Sequence, residues 1–100
     1  MKLYFRKSGG FAPIFQGCQF DTTANRNEDS QELEALVAAG KILNQTSKKV
    51  PQARDVFYYT FDLELDGKTN SVTFDQLSVP DEVKPLLEFC LARAKNMMPD

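Results

Sequence analysis

One stretch in the second half of the chain constrains the fold more than any other. In V-F-Y-Y-T-F-D-L-E-L, residues 56–65, every second side chain is apolar or aromatic: Phe57, Tyr59, Phe61, Leu63 and Leu65. This period of two is typical of a β-strand with one buried face. Asp66 and Gly67 follow directly, and this dipeptide favours a hairpin because both central turn residues must tolerate positive φ. We therefore expect residues 69–75 to return as a second strand, and the rest of the chain to cover the apolar face.

The N-terminal region has the pattern of another hairpin. Residues 2–7 alternate as a short strand, and residues 8–10, Ser-Gly-Gly, form a break that can take positive φ at two positions. Residues 11–21 are predicted to be a longer strand. Because Pro13 cannot donate a ladder hydrogen bond, this strand should lie at an edge or carry a bulge near Pro13 or Gly17.

A helix is predicted over residues 30–39. Asp29 can cap it, with Glu32 three residues further on as in a capping box. Gly40 is placed to end it. The apolar stripe at helical spacing is Leu33, Leu36 and Val37. Ile42 and Leu43 should pack beneath its end, and the polar residues 44–54 should form a long exposed connection.

A second helix is predicted near the C-terminus. Pro80 suits a first helical position, but Pro85 also fits only the first turn, so we expect an irregular start and then a helix to about Asn96. Its apolar stripe is Val83, Leu86, Leu87, Cys90, Leu91 and Ala94. The element order is β-β-α-β-β-α. The simplest architecture is a single α+β domain over residues 1–100, a four-stranded, mostly antiparallel sheet with two helices on one face.

The composition excludes several classes of function. The chain has 100 residues, a net charge of −2 and no histidine. Without histidine there is no Ser-His or Cys-His catalysis and no His-ligated zinc site. The acidic balance argues against nucleic acid as a partner, and the apolar runs are too short for a membrane span. The start of the sequence has no room for the apolar region of a signal peptide. No cofactor is expected.

Two groups of side chains are candidates for chemical sites. The carboxylate pairs Asp62/Glu64 and Asp66/Asp75 could serve acid–base chemistry, but a solvated sheet face explains the first pair better. Cys18 and Cys90 are expected to be buried thiols rather than a disulfide, because nothing indicates export to an oxidising compartment.

The segment from Ser8 to Phe11 allows two interpretations. It is not a phosphate loop, because it lacks the Gly-Lys-Ser/Thr ending and would join two strands. It can be a plain hairpin turn. It can also be a contact loop, because a bulky apolar side chain beside two glycines suits insertion into a cleft of a partner. The residues leave both interpretations open.

Three blocks of sequence resemble the emfourin family of small bacterial proteins. They are M-K-L-Y-F-R-K-S-G-G-F-A at residues 1–12, R-D-V-F-Y-Y at 54–59, and V-P-D-E-V-K-P-L-L at 79–87. The blocks follow the order and spacing of the family and cover nearly the whole chain. The family takes its name from an inhibitor of the metalloprotease protealysin. The resemblance implies a protein inhibitor of thermolysin-type zinc metalloproteases that occupies the active-site cleft, and a bacterial cytosolic setting.

On this reading the chain is a monomer when free, is not an enzyme, and binds neither nucleic acid nor membrane. Phe11 could fill the pocket that thermolysin-type enzymes use for a bulky apolar side chain, and covering the cleft is preferred to ligating the zinc. The candidate contact residues are Ser8, Gly9, Gly10, Phe11, Ala12, Arg54, Asp55, Asp75, Leu77 and Val79. The alternatives are a non-inhibitory adaptor domain that uses a sheet edge, and, less favoured, an enzyme that uses Asp and Glu alone.

Overall fold

The fold is built on one β-sheet. The structure, a computed structural model, describes residues 1–9, 15–24, 26–48 and 56–96. The strands are β1 (Lys2–Gly9), β2 (Gln16–Asp21), β3 (Phe57–Leu65), β4 (Lys68–Asp75) and β5 (Lys95–Asn96). They form one antiparallel sheet in the order β4-β3-β1-β2-β5. This confirms the predicted α+β class and the four main strands, and adds the two-residue strand β5 at one edge.

The ladders around the central strand β1 are regular. β1 pairs with β2 from Lys2↔Asp21 to Lys7↔Gln16 without a break, so the bulge expected at Gly17 is absent from these residues. Pro13, the other expected position of a bulge, lies outside the described residues. On its other side β1 pairs with β3 up to Gly9, so the strand runs two residues beyond its predicted end.

The central hairpin follows the prediction from the sequence. Asp66 and Gly67 both have positive φ, 51° and 79°, which is the geometry of a tight two-residue turn whose twist matches the strands. The middle of β3 supplies the buried face through Tyr59, Phe61 and Leu63. The period of two was therefore sufficient to place this hairpin.

The first helix, α1 (Glu28–Ala39), begins two residues earlier than predicted. Its cap is Asn27 rather than Asp29: the Asn27 side chain accepts from the Ser30 N–H at 3.1 Å, and the Ser30 hydroxyl accepts from the Asn27 N–H at 3.0 Å. This reciprocal pair is a capping box in which serine replaces the expected glutamate. Gly40 ends the helix with a right-handed conformation, and Lys41 takes the left-handed one with φ 54°.

The second helix, α2 (Lys84–Arg93), confirms the irregular start and corrects the end. A turn over residues 81–83 precedes it, and Pro85 lies in its first turn. The helix ends at Arg93, because Ala94 is extended and the next two residues pair with Gln16 and Gly17 of β2. Edge pairing therefore replaces the last helical turn that the sequence predicted.

One hydrophobic core lies between the helices and one face of the sheet. The side chains that are fully out of contact with solvent include Phe5, Phe61, Phe74, Ile42, Val83, Leu86 and Cys90. Phe89 of α2 is also buried and packs its ring 5.8 Å from that of Phe20, a core position that the predicted stripe omitted. Across the described parts of the chain, no helix is long and apolar enough to cross a membrane.

Candidate interaction surface

Strand pairing brings several of the predicted contact residues to one end of the sheet. Gly9 at the end of β1 lies opposite Phe57 at the start of β3, and Tyr58 lies opposite Asp75 at the end of β4. The turn after β4 and the start of β2 lie at this same end. We call it the Leu77 end, and define it by Ser8, Gly9, Phe15, Phe57, Gln76 and Leu77.

The position of Gly9 requires a glycine for two reasons. Its φ is +91°, a conformation that L side chains rarely adopt. A Cβ built there would lie 2.8 Å from the carbonyl oxygen of Val56 and 3.1 Å from the Tyr58 ring. Gly9 is therefore required by the close approach of β1 to the start of β3 within the protein itself.

The turn after β4 is held by main-chain and side-chain hydrogen bonds. The Gln76 N–H donates to the Phe57 carbonyl at 2.9 Å, and the Phe57 N–H donates to the Gln76 side-chain oxygen at 2.8 Å. The Leu77 N–H donates to the Asp75 carboxylate at 2.8 Å, and the Ser78 N–H to the Asp75 carbonyl at 3.0 Å. Leu77 therefore stands on a fixed turn, and 67% of its surface is exposed.

Two of the other predicted contact residues face inward. Asp75 is fully buried, and its carboxylate caps the Leu77 N–H. Val79 is half-buried and packs against the core. In this conformation both residues support the turn, and Leu77 is the one that presents an apolar side chain to solvent.

The structure adds Phe15, which the sequence reasoning had placed within a strand. Phe15 precedes the first residue of β2 and is 50% exposed. Phe15 and Leu77 are the two large hydrophobic residues that are exposed in the described part of the chain, and both lie at the Leu77 end. Nearby, the Lys7 ammonium lies 4.1 Å from the centre of the Phe57 ring, a cation–π contact.

Half of the predicted contact residues belong to two segments that the structure does not describe. Gly10, Phe11, Ala12, Arg54 and Asp55 lie outside the described residues. The described residues that border these two segments belong to the Leu77 end or adjoin it. Gly9 and Phe15 border the first segment, and Val56 follows the second.

A comparison with protein families matches residues 5–91 of this chain to the Emfourin model. The chain belongs to the Emfourin family. This is an inhibitor family, so membership implies a metalloprotease-inhibitor role and a protease as the partner. No curated protein and no solved structure matches the chain.

The opposite end of this emfourin-family protein carries a groove. It has a volume of about 680 Å³ on the open face of the sheet, and its polar lining includes Lys2, Tyr4, Gln19, Asp21, Asp62 and Glu64. The pKa of Asp21 is lowered, mainly by the N–H of Ala24. Asp62 pairs with Arg6 at 3.5 Å. A general acid would need a raised pKa, so the shift at Asp21 is opposite to the one that the enzyme alternative predicts.

Because the chain has no histidine, Cys, Asp and Glu are its candidate metal ligands. Among the residues that the structure describes, no group of three or more Cys, Asp or Glu side chains is arranged to hold a metal ion. Two of the candidate ligands, Asp75 and Cys90, are fully buried. What the Leu77 end does offer is apolar side chains on a rigid frame, which is the chemistry of a protein–protein contact.

Proposed function

We propose that this protein inhibits thermolysin-type zinc metalloproteases of the protealysin kind, by covering the active-site cleft with the Leu77 end of its sheet. The family supports the inhibitor role. The exposed Leu77 on its hydrogen-bonded turn is the observation that supports this surface. A leucine is also a suitable occupant of a pocket that accepts bulky apolar side chains.

The bonding of the turn gives a reason why the chain would not be cut. Proteases bind substrates as extended strands through main-chain hydrogen bonds. Here the N–H groups of Gln76, Leu77 and Ser78 already donate to Phe57 and Asp75. To become a substrate, the turn would have to break these bonds and release the buried Asp75. The Leu77 side chain can therefore enter a pocket while its backbone stays in a non-substrate conformation.

Phe15 provides a second apolar contact at a useful distance. Leu77 follows β4 and Phe15 precedes β2, and two strands lie between β4 and β2 in the sheet. Three strand spacings correspond to roughly 14 Å. At this separation, Leu77 and Phe15 could contact opposite walls of the cleft, with Ser8 and Gly9 between them. Phe11, outside the described residues, keeps its predicted role as an anchor of the first loop.

Inhibition is proposed to occur without ligation of the protease zinc by Asp75. Its carboxylate is fully buried and engaged with Leu77. Asp21, a more exposed acid, lies opposite Lys2 at the far end of the sheet. Burial of apolar anchors is then the main source of affinity, and charges at the rim, among them the predicted Arg54 and Asp55, act on the association rate.

The test is a titration of peptide hydrolysis by a thermolysin-type protease, protealysin where possible. We expect activity to fall to near zero at about one equivalent, with the inhibitor chain recovered intact by mass spectrometry. Leu77→Ala and Phe11→Ala should each weaken inhibition, whereas Glu64→Ala at the opposite end should not. Digestion of the wild-type chain, or full protease activity in excess inhibitor, would contradict the proposal.

The adaptor alternative receives less support from the sheet edges. Beside β4, the Thr73 N–H donates to the Ser47 hydroxyl, the Lys48 N–H donates to the Thr73 carbonyl, and the Asp75 N–H donates to the Lys48 carbonyl. Beside β2, Gln16 and Gly17 pair with β5. These contacts occupy parts of both edges that an added strand would need. Stoichiometric binding to the protease with unimpaired peptide hydrolysis would favour the adaptor.

A further inference from the structure

The two cysteines of the chain lie close together, where β2 packs against α2. Cys18 lies on β2 opposite Phe5, on the face that packs against the helices, and is half-buried. Cys90 lies on α2 and is fully buried. The Cys18 thiol donates to the Cys90 carbonyl oxygen, with the sulfur 3.7 Å from that oxygen. As predicted, both are free thiols.

The two thiols differ in chemical character. The pKa of Cys18 is lowered, mainly by its hydrogen bond with Cys90 and also by the positive charge of Arg93, and burial only partly opposes this. The pKa of Cys90 is raised by the same hydrogen bond and by burial. Because the thiolate is the reactive form, Cys18 is the better nucleophile and is also the one that solvent can reach.

We propose that Cys18 and Cys90 form an oxidative modification site, at which a hydroperoxide converts the two thiols into a reversible intramolecular disulfide. This pairing of an accessible sulfur with an adjacent second cysteine is the arrangement found at redox-sensing sites. It is independent of the inhibitor function, since it rests on β2 and α2 alone.

The reaction balances with one peroxide molecule. The Cys18 thiolate attacks a peroxide oxygen, the O–O bond breaks, and after proton uptake the products are a sulfenic acid and water. The Cys90 sulfur then attacks the Cys18 sulfur, the S–O bond breaks, and the oxygen leaves as a second water that carries the thiol proton. Two thiols are oxidised and one peroxide is reduced.

The disulfide would join the edge strand β2 to helix α2. The segment from residue 18 to residue 90 makes up most of the chain, so the cross-link would strongly restrict the unfolded state. We expect the oxidised protein to unfold at a higher urea concentration than the reduced protein. Reduction with dithiothreitol should restore the lower midpoint.

The experiment treats the reduced full-length protein with one equivalent of hydrogen peroxide, followed by intact mass spectrometry and thiol counting. We expect the loss of two hydrogen atoms, no free thiol, a monomer on a non-reducing gel, and a Cys18–Cys90 cross-linked peptide after digestion. Three outcomes would each overturn the proposal: stable over-oxidation of Cys18 with Cys90 still free, a disulfide-linked dimer, or two unreacted thiols.

Two variants test the order of the steps. In Cys90→Ser, the sulfenic acid at Cys18 should persist and be trapped by dimedone. In Cys18→Ser, Cys90 should stay reduced under the same treatment. If Cys90 is oxidised as fast in Cys18→Ser as in the wild type, the assigned order is wrong. The wild-type mass measurement decides the main point even if a variant does not fold.

Discussion

The two ends of the same sheet are built in different ways. At the hairpin end, defined by Lys2, Asp21, Asp66 and Gly67, the chain reverses in a two-residue turn, and a Cβ on Gly67 would meet no atom within 4 Å. At the Leu77 end, a Cβ on Gly9 would clash with the carbonyl oxygen of Val56, the residue before β3. Local turn chemistry is enough to close the hairpin end, whereas the Leu77 end needs contacts between distant parts of the chain.

This difference suggests where function resides. At the Leu77 end, an exposed leucine stands on a turn that is held by several hydrogen bonds, which suits the proposed contact with a protease. At the hairpin end, the groove is lined largely by polar and charged side chains. Variants at the two ends should therefore differ in their effects on inhibition and on stability.

The largest effect is expected from Leu77→Ala on inhibition. Loss of a central anchor should cost at least about 2 kcal/mol of binding free energy, roughly a 30-fold rise in the inhibition constant. Stability should barely change because the side chain is mostly exposed. Inhibition constants and thermal melts of Leu77→Ala, with Glu64→Ala as the control, measure both. Equal inhibition by the two variants would remove Leu77 from the proposed surface.

A glycine at each end allows a matched comparison of stability. Gly67→Ala should cost about 1 kcal/mol of unfolding free energy, for the positive φ alone. Gly9→Ala should cost about 2–3 kcal/mol, because the Cβ also meets the Val56 carbonyl at 2.8 Å. Urea denaturation of both variants measures the difference. Equal losses of unfolding free energy would mean that the close approach of the new Cβ to the Val56 carbonyl is relieved by small shifts that cost no stability.

A smaller effect is expected at Gln76. Gln76→Ala removes the acceptor of the Phe57 N–H and should reduce stability by about 1 kcal/mol. Because this side chain fixes the turn that carries Leu77, the inhibition constant should also rise, by less than in Leu77→Ala. Gln76→Glu, which keeps an acceptor oxygen, should recover most of both losses. If Gln76→Glu is as unstable and as poor an inhibitor as Gln76→Ala, loss of the hydrogen bond to the Phe57 N–H does not explain the effects of Gln76→Ala.

The smallest effect concerns pH and the hairpin end. Asp21 accepts from the N–H groups of Thr23 and Ala24 at 3.0 Å each, and its pKa in the folded protein is lowered from 3.8. A lowered folded pKa adds stability above the unfolded value, and this is lost as the pH falls through the folded pKa. Urea midpoints between about pH 6 and about pH 3 should therefore fall less in Asp21→Asn than in the wild type. Parallel curves would contradict this.

The fold could be predicted largely from local patterns. Alternation in β3 and the Asp66-Gly67 turn placed the central hairpin, and Pro85 placed the irregular start of α2. The predictions were wrong at two helix ends, where more than one residue or element could supply the hydrogen bonds. Asn27, not Asp29, is the N-cap of α1. After Arg93 the chain pairs with β2 and does not extend α2.

The candidate surface was predicted only in part. Leu77 stood out as an apolar residue in a polar loop, and the structure exposes it. Asp75 looked like an available acid, but it is buried as the cap of the turn. The sequence did not indicate that Phe15 is exposed, because the imperfect alternation around it fits either face of a strand. Gln76 gave none, because a surface glutamine is common in any loop.

The sequence by itself determined the class of fold, the central hairpin and the membership of the family, because each depends on residues close together in the chain or on a motif order. Only the tertiary structure decided which residues meet. In the folded protein, Gly9 lies against Val56, Phe57 contacts Gln76, and Cys18 contacts Cys90. These pairs are between 19 and 72 positions apart in the sequence. Such contacts depend on strand order and register, and these follow from the packing of the whole core rather than from any local preference.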